Sequence, residues 1–212
     1  MVDMHGNSPK TLRQDLLAQR KQFVASARYD AARAALFSGL AEFLAESEAQ
    51  IRSVALYCPI QSEIDVRPTL LDWADQSPER ILCLPFARPD KHLDFYAWHR
   101  DDILIPSQHG VPEPDPNNFL RPQVIPDCIL IPCVGWSQSS DVISTSAINH
   151  YWRLGYGGGY FDRTLAQLRK TKPDLICIGL GFDWQKLNDA QWQAQTHDEP
   201  LDGMLTESGL LG

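Results

Sequence analysis

Three segments of the chain place apolar residues at helical spacing. Residues 9–24 have their larger apolar residues near one helix face and a proline in the first turn, and residues 28–46 are alanine-rich with one apolar side. In the third segment Phe161, Leu165 and Leu168 stand at positions i, i+4 and i+7. We predict a helix in each segment, and a further helix that follows the loop beginning at "EIDV".

Short apolar segments lie between these helices. Segments such as "ILCLPFA" are apolar at successive positions, whereas "LDFYAW" alternates with period two. A strand that is apolar on both sides is typical of a sheet buried on both faces. We predict strands at 53–60, 81–87, 93–98, 128–136 and 175–182, with one more at a sheet edge in residues 201–208.

The alternation of strands and helices indicates an α/β fold, with a central, mostly parallel sheet covered by helices on both faces. No repeat and no linker divides the chain, so we expect a single domain over residues 1–212. Residues 105–126 contain six of the fifteen prolines and are predicted to be a structured loop. Residues 137–152 are serine-rich without a clear period, and we predict a long flexible loop there.

Composition narrows the classes of function. With 43% apolar and 22% charged residues the chain is typical of a globular protein. Its formal charge of −8 argues against general nucleic-acid binding, which needs a basic face, but is compatible with a local basic pocket for a small anion. The amino-terminal residues are polar and no apolar run reaches about 18 residues, so we expect a cytoplasmic protein without a membrane span.

Five cysteines are spread along the chain, and no two of them have the close C-x-x-C spacing of a zinc or redox site. An odd number of scattered thiols indicates a reduced, intracellular protein. We expect these cysteines to be small buried hydrophobic residues. They are Cys58, Cys83, Cys128, Cys133 and Cys177.

The segment "RLGYGGGYFDRTL", residues 153–165, is rich in glycine and runs into a predicted helix. Such a loop presents several backbone N–H groups to one point, and the helix dipole adds positive charge, so phosphate is the expected ligand. Arg153 would add a bidentate charge, and Asp162 is placed to hold Mg²⁺ against phosphate oxygens. The loop fits neither the Walker A pattern nor the dinucleotide fingerprint in a convincing strand–turn–helix unit. Alternatively, the glycines only permit a tight turn and close helix packing.

Arg153 through Asp162 resembles the signature of the 5-formyltetrahydrofolate cyclo-ligase family, also called 5,10-methenyltetrahydrofolate synthetases. That signature reads Arg-Leu-Gly-x-Gly-x-Gly-Tyr-aromatic-Asp. Four further segments agree with the family in order and spacing: "LRQDLLAQR", "ALYCPIQSEIDVRPTL", "GVPEP", and "IGLGFDWQ" with the later "HDEPLDGMLTE". The resemblance covers nearly the whole chain and implies a sheet like that of sugar-phosphate isomerases and CoA transferases.

The resemblance implies an enzyme that uses Mg²⁺ and ATP to close 5-formyltetrahydrofolate into 5,10-methenyltetrahydrofolate. ATP would phosphorylate the formyl oxygen, the N10 nitrogen would attack the activated carbon, and phosphate would leave. Phosphoryl transfer depends chiefly on positioning and charge neutralisation, which is compatible with a sequence that shows no obvious nucleophile. The implied partners are these small molecules, and the protein would be a monomer or a weak homo-oligomer.

The resemblance also assigns roles to residues of this chain. Arg153 and Tyr160 would act in catalysis, and Asp162 with Asp198 would hold Mg²⁺. Alternatively, Tyr160 and Phe161 could be core aromatic residues, an interpretation that the position of Phe161 on the helix stripe favours. The residues expected at ATP are Lys10, Arg13, Arg153, Leu154, Gly155, Tyr156, Gly157, Gly158, Gly159, Tyr160 and Phe161. The residues expected at the folate are Cys58, Glu63, Tyr156, Gly157, Gly158, Gly159 and Tyr160.

Several of these residues also have purely structural interpretations. The Glu63 carboxylate would accept hydrogen bonds from the pterin amino and ring N–H groups, but it could equally be a solvated loop charge. Asp198 could be a turn residue, with Asp202 competing for the metal. Arg13 and Arg20 lie largely off the apolar stripe of the first helix and could be solvated surface charges.

The chain departs from the family pattern at two places, both next to the phosphate site that the resemblance implies. Family members carry a lysine ahead of the Leu-Arg of the first helix; Pro9 occupies that register here, and Lys10 is adjacent. Between the "IPCVGW" strand and Arg153 the family has a short turn, roughly Asp-x-x-Gly, whereas residues 137–152 intervene here and only Asp141 offers the aspartate. The insertion is either a mobile lid over the substrates or a tolerated surface insertion.

Two other classes of function remain open at this point. One is a nucleotide- or folate-binding homologue without turnover, which the displaced lysine and the insertion favour. The other is an isomerase or acyl-transferring enzyme, which would need a separate catalytic carboxylate or base that the sequence does not display. A requirement for ATP distinguishes the three possibilities.

Overall fold

The computed structural model describes residues 8–118, 120–143 and 146–212. The helices are α1 (Pro9–Val24), α2 (Tyr29–Glu46), α3 (Arg67–Ala74) and α4 (Tyr160–Thr171), with a 3-10 helix at Asp183–Gln185. The strands are β1 (Ser53–Ala55), β2 (Ile81–Ala87), β3 (Leu93–Ala97), β4 (Ile105–Pro106), β5 (Pro112–Glu113), β6 (Cys128–Pro132), β7 (Gly135–Ile143), β8 (Ser146–Leu154), β9 (Ile176–Leu180), β10 (Lys186–Leu187), β11 (Gly203–Thr206) and β12 (Gly209–Leu211).

The central sheet has seven strands in the order β12-β11-β9-β6-β1-β2-β3. Its inner strands, from β11 to β2, run parallel, and β3 and β12 are antiparallel strands at the two edges. The predicted α/β fold with a mostly parallel sheet is therefore confirmed. The carboxyl-terminal segment supplies two strands rather than the one predicted, so that β12 takes the edge and β11 lies one strand inside it.

Helices cover both faces of this sheet, which explains why its strands are apolar at successive positions. Val54 and Leu130 pack in one buried cluster with residues of α2 and α3. Their neighbours Ala55 and Ile129 pack in a second cluster that contains Leu165 of α4. Adjacent residues of a strand point to opposite faces, so a strand buried on both sides must be apolar throughout.

The prediction of a flexible loop at residues 137–152 is wrong. β7 and β8 form an antiparallel hairpin that is paired from Gly135 with Leu154 to Ile143 with Ser146, and β10 lies beside β7. The Tyr151 carbonyl also accepts a hydrogen bond of 2.7 Å from the Leu201 amide. The polar composition does not indicate these strands, because their backbone groups are satisfied by hydrogen bonds along the hairpin, and such bonds leave no pattern in the sequence.

Two predicted strands are shorter in the structure. The segment predicted at 53–60 is a strand only at β1, after which the chain leaves the sheet, and the segment predicted at 128–136 is divided between β6 and β7. The segments that follow β1 and β6 therefore lie at the carboxyl ends of parallel strands, where α/β sheets commonly bind ligands.

The five cysteines are all free and buried, as the sequence predicts. Among the described residues, no helix combines the length and the apolar content that are needed to span a bilayer.

Candidate active site

A cleft of about 570 Å³ opens at the carboxyl ends of β1, β2 and β6. Its walls come from the segment after β1, from the loop between β4 and β5, from the glycine loop, and from residues 192–198. The predicted site residues that line it are Arg13, Cys58, Glu63, Arg153, Leu154, Gly155, Tyr156, Gly157, Gly158, Gly159, Tyr160, Phe161, Asp162 and Asp198. Lys10 is exposed and lies outside this lining, which includes Pro9 instead.

The glycine loop connects β8 directly to α4, so it belongs to a strand–loop–helix unit that the sequence analysis did not recognise. Gly157 has a φ of +93°, and Gly159 at the N-cap of α4 has a φ of +70°. Residues with a Cβ atom rarely adopt this left-handed region of backbone conformation, which accounts for glycine at both positions. Gly159 offers no side-chain cap, so amide groups of the first turn of α4 have no side-chain partner at the N-cap and are available to a ligand.

Arg13 reaches from α1 to the glycine loop. Its Nε donates a hydrogen bond of 2.6 Å to the Gly155 carbonyl. A Cβ atom on Gly157 would lie 3.4 Å from the Arg13 guanidinium carbon. The guanidinium therefore packs against the loop at ordinary van der Waals distance from that position, and the positive φ is what favours glycine there.

Arg153 and Asp162 join the two ends of the loop. Arg153 at the end of β8 donates a hydrogen bond of 3.0 Å to Asp162 Oδ2 on α4, and their side chains are only 8% and 14% exposed. The guanidinium also lies 5.3 Å from the centre of the Phe161 ring. Asp162 Oδ1 accepts a long bond of 3.4 Å from the Glu199 amide. Phe161 is partly buried against the second hydrophobic cluster, so it serves the core as well as the cleft.

The two candidate carboxylates for the second metal ligand lie in different surroundings. Asp198 lines the cleft together with Asp162, and its Oδ2 accepts a bond of 2.8 Å from the Gln195 amide. Asp202 lies outside the lining and is held by the Cys177 amide at 2.7 Å and by an arginine. Within the described part of the chain no three His, Cys, Asp or Glu residues form a ready-made metal cluster.

Glu63 is a buried carboxylate in the loop after β1. Its side chain accepts 2.9 Å and 2.8 Å hydrogen bonds from the Ile60 amide and the Tyr156 hydroxyl. Burial raises the pKa of Glu63 above its ordinary value, although these bonds and nearby arginines oppose the rise. Gln61 and Ser62 have φ values of +46° and +65°, and non-glycine residues held in such conformations cluster at functional sites.

Arg20 is buried, so the prediction that it lies off the apolar stripe of α1 is wrong. Leu12, Leu16 and Arg20 are the buried residues of this helix, and they are spaced four apart on one face. The Arg20 guanidinium donates hydrogen bonds to the carbonyls of Gln61 and Cys133 and to the Tyr156 hydroxyl. The four-residue spacing from Leu12 through Leu16 is the sequence feature that could have revealed it.

The loop between β4 and β5, together with β5 itself, contributes residues to which the sequence analysis gave no role. Glu113 of the "GVPEP" segment is 7% exposed and lines the cleft, and burial raises its pKa. His109 Nε2 lies 3.0 Å from the Tyr160 hydroxyl, which also accepts a bond of 2.9 Å from Gln108. The resemblance of "GVPEP" to the family element was the available indication that this loop belongs to the site.

Cys58 forms part of the cleft wall as a thiol. It is buried, and burial raises its pKa above the ordinary value. A raised pKa keeps the sulfur protonated and weakly nucleophilic at neutral pH. Its position fits a packing contact with a ligand rather than a chemical step.

The fold and this cleft define an α/β protein in which a glycine loop at the start of a helix and a buried carboxylate line the same cleft. A sequence model of the 5-formyltetrahydrofolate cyclo-ligase family matches residues 5–207. The chain belongs to the 5-formyltetrahydrofolate cyclo-ligase family.

Individual relatives carry the same name. The chain is 27% identical over 136 residues to the 5-formyltetrahydrofolate cyclo-ligase of Mycoplasma pneumoniae, an alignment that covers 64% of this chain and 63% of that protein. It is 28% identical over 165 residues to the protein of that name from Escherichia coli K12, covering 74% of this chain and 78% of the relative. The match thus spans just under two thirds of the Mycoplasma relative.

Solved structures share the fold. The NMR structure of Aquifex aeolicus 5,10-methenyltetrahydrofolate synthetase superposes with a TM-score of 0.67 at 24% identity, covering 96% of this chain and 91% of that one. The 5,10-methenyltetrahydrofolate synthetase of Mycoplasma pneumoniae gives a TM-score of 0.63 at 23% identity, covering 95% and 99%.

Proposed function

We propose that this protein converts 5-formyltetrahydrofolate to 5,10-methenyltetrahydrofolate with ATP as co-substrate and Mg²⁺ as cofactor. The observation that carries the proposal is the meeting of two kinds of binding group in one cleft. The glycine loop and the Arg153–Asp162 pair suit a polyphosphate, and the buried Glu63 suits a heterocycle rich in N–H donors. A reaction that transfers a phosphoryl group from a nucleotide to a formylated pterin requires both.

The phosphate end of the cleft contains fixed positive groups. The first-turn amides of α4 and the guanidinium groups of Arg13 and Arg153 can neutralise the charge of the triphosphate. Arg13 is already oriented by the Gly155 carbonyl. In this proposal these groups place the terminal phosphoryl group against the formyl oxygen of the folate.

The carboxylates present fit a magnesium ion. Mg²⁺ prefers oxygen ligands and is usually bound by one or two carboxylates together with phosphates and water, so a larger protein cluster is not required. Asp162 and Asp198 line the same cleft, and Asp162 Oδ1 is the oxygen not held by Arg153. When bound, the ion would supply charge neutralisation for the phosphates.

The folate end of the cleft is set by Glu63. Its carboxylate is acceptor-only when ionised, which suits the amino and ring N–H groups of a pterin. Cys58 and Tyr156 lie in the same walls and would contact the ring system. In the proposed reaction ATP phosphorylates the formyl oxygen and ADP leaves. N10 then bonds to the formyl carbon and loses its proton, and the carbon–oxygen bond breaks as phosphate leaves.

The test is to mix the purified protein with 5-formyltetrahydrofolate, Mg²⁺ and ATP and to follow the absorbance of the methenyl product. We expect a rise that disappears when ATP is omitted and when Mg²⁺ is chelated. Binding of ATP and folate without any rise would instead identify a homologue without turnover, for which the exposed position of Lys10 is the structural argument. A rise that is independent of ATP would overturn the proposal.

A further inference from the structure

Arg20 is a buried guanidinium whose hydrogen-bond partners are unusual for a charged group. It is 3% exposed, and among the described residues its guanidinium donates hydrogen bonds to two backbone carbonyls and one hydroxyl. The carbonyls belong to Gln61 and Cys133, at distances of 3.1 Å and 3.3 Å. Arg20 thereby connects α1 to the loop that carries Glu63 and to the end of β6.

The third bond runs to the Tyr156 hydroxyl, and its direction is fixed by chemistry. A guanidinium can only donate, so the Tyr156 oxygen must accept from Arg20. The single hydroxyl proton of Tyr156 is then directed to Glu63 Oε1, 2.8 Å away. The guanidinium also lies 5.9 Å from the centre of the tyrosine ring. Arg20, Tyr156 and Glu63 thus form a one-directional chain of donors that ends on the buried carboxylate.

We propose that Arg20 is a positioning residue for folate recognition, because it fixes the Tyr156 hydroxyl and through it holds the Glu63 carboxylate in its acceptor-only form. The inference rests on the proposed role of Glu63 at the pterin. Arg20 itself touches no substrate in this account. Its effect reaches the folate through the donor chain.

The charges around Glu63 support this role. Burial raises the pKa of Glu63, and the Tyr156 hydrogen bond and the arginine charges counter the rise. Burial likewise raises the pKa values of the neighbouring tyrosines and brings that of Cys133 to about 12, so these groups are neutral at pH 7. The titratable groups that face Glu63 are Arg20, Tyr57, Cys133, Arg153 and Tyr156. Arg153 also acts on Glu63 but donates its hydrogen bond to Asp162, whereas Arg20 donates to the Tyr156 hydroxyl that in turn donates to Glu63.

The first arm of the test needs no substrate. The pKa of Glu63 is measured by carbon-13 NMR of its carboxyl group in the parent protein and in Arg20→Met, Arg20→Lys and Lys21→Met. Lys21 is exposed on the same helix, one residue away, and is the matched control. We expect Arg20→Met to raise the pKa of Glu63, Arg20→Lys to raise it less because the charge is kept, and Lys21→Met to leave it unchanged. An unchanged pKa in Arg20→Met would overturn the inference.

The second arm measures dissociation constants for 5-formyltetrahydrofolate and for ATP separately, between about pH 5 and pH 8. Folate binding that needs ionised Glu63 is lost as pH falls through its pKa, so a raised pKa moves this loss to higher pH. We expect Arg20→Met to weaken folate binding roughly 10- to 100-fold at pH 7, as for a lost charge-assisted bond, and to spare ATP. Equal weakening of both ligands would indicate a merely structural role and overturn the inference.

A double-mutant cycle with Tyr156→Phe completes the test. If Arg20 acts through the Tyr156 hydroxyl, adding Arg20→Met or Arg20→Lys to Tyr156→Phe should weaken folate binding little further. Fully additive effects on folate binding would overturn the inference. If Arg20→Met fails to fold, the same cycle is measured with Arg20→Lys and Tyr156→Phe. A parent protein that binds no folate at any pH would overturn the proposed function instead, and the NMR titration would still decide the part played by Arg20.

Discussion

Substitution of Gly157 by alanine tests the geometry of the glycine loop. Gly157 has a φ of +93°, a conformation that costs a residue with a Cβ about 1–2 kcal/mol. The new Cβ would lie 3.4 Å from the Arg13 guanidinium carbon, an ordinary van der Waals contact, so the cost comes from the backbone. Relief of this backbone strain would move the N–H groups of the loop that are proposed to bind phosphate. We therefore expect Gly157→Ala to lower the free energy of unfolding by about 1–2 kcal/mol and to weaken ATP binding roughly tenfold or more.

Gly209→Ala is the matched control for this prediction. Gly209 is the first residue of β12, directly after the turn from β11, with a φ of +106°, and nothing lies within 4 Å of an added Cβ. Chemical denaturation and ATP titration of both variants separate backbone strain from the loss of a binding group. We expect similar losses of stability, with ATP affinity reduced only in Gly157→Ala. Unchanged stability and ATP affinity in Gly157→Ala, or an equal loss of ATP affinity in both variants, would refute the reasoning.

Three further predictions follow from the structure. Burial favours a higher pKa for Asp127, but hydrogen bonds from Lys172, Ser53 and backbone amides hold the pKa below its ordinary value. Asp127→Asn should therefore lower the free energy of unfolding by about 1–3 kcal/mol at pH 7, as measured by chemical denaturation. The difference between the two proteins should shrink as pH falls below about 4, where the carboxylate of the parent protein becomes protonated. Asp162→Asn should leave the circular dichroism spectrum unchanged while lowering the Mg²⁺-dependent rate roughly 100-fold or more, and a normal rate would contradict the metal assignment. Replacing residues 141–148 by an Asn-Gly turn should leave ATP affinity unchanged in titrations, because residues 137–139 and 149–152, the part of the hairpin next to the fold whose side chains the structure describes, do not line the cleft. A loss of affinity would give the hairpin a part in binding.

The core of the fold could be predicted because its strands satisfy a local rule. In β2, Leu82 and Leu84 pack on one face of the sheet and Cys83 on the other, so the whole segment must be apolar. Buried parallel strands leave this pattern in the sequence whichever neighbours they pair with. The pattern identifies the strands without revealing where each of them ends, which is why β1 was predicted too long.

The hairpin of β7 and β8 could not be predicted in this way. Its serine-rich segment has no alternation, and the pairs that stabilise it, such as Gln138 with Tyr151, join residues distant in the sequence. The contact between Tyr151 and Leu201 is more distant still. Strand propensity depends on such partners, so a sequence read locally favours a loop.

The site was predicted in part. The glycine loop carries its own signature, and the structure brings it together with Glu63 and Asp198, although their roles stay predictions. Arg20 was missed because a charged residue on an amphipathic helix usually faces solvent. Its burial depends on the two carbonyls and the hydroxyl that receive its hydrogen bonds, which only the folded chain brings together.

The central claim is that one cleft couples the two substrates, and the ratio of phosphate released to methenyl product formed tests it most directly. Both quantities are followed in one reaction with Mg²⁺, ATP in excess and limiting 5-formyltetrahydrofolate. The account predicts one phosphate for each methenyl group, with phosphate release stopping when the folate is consumed. Phosphate release at the same rate without folate, or methenyl product without phosphate release, would contradict it.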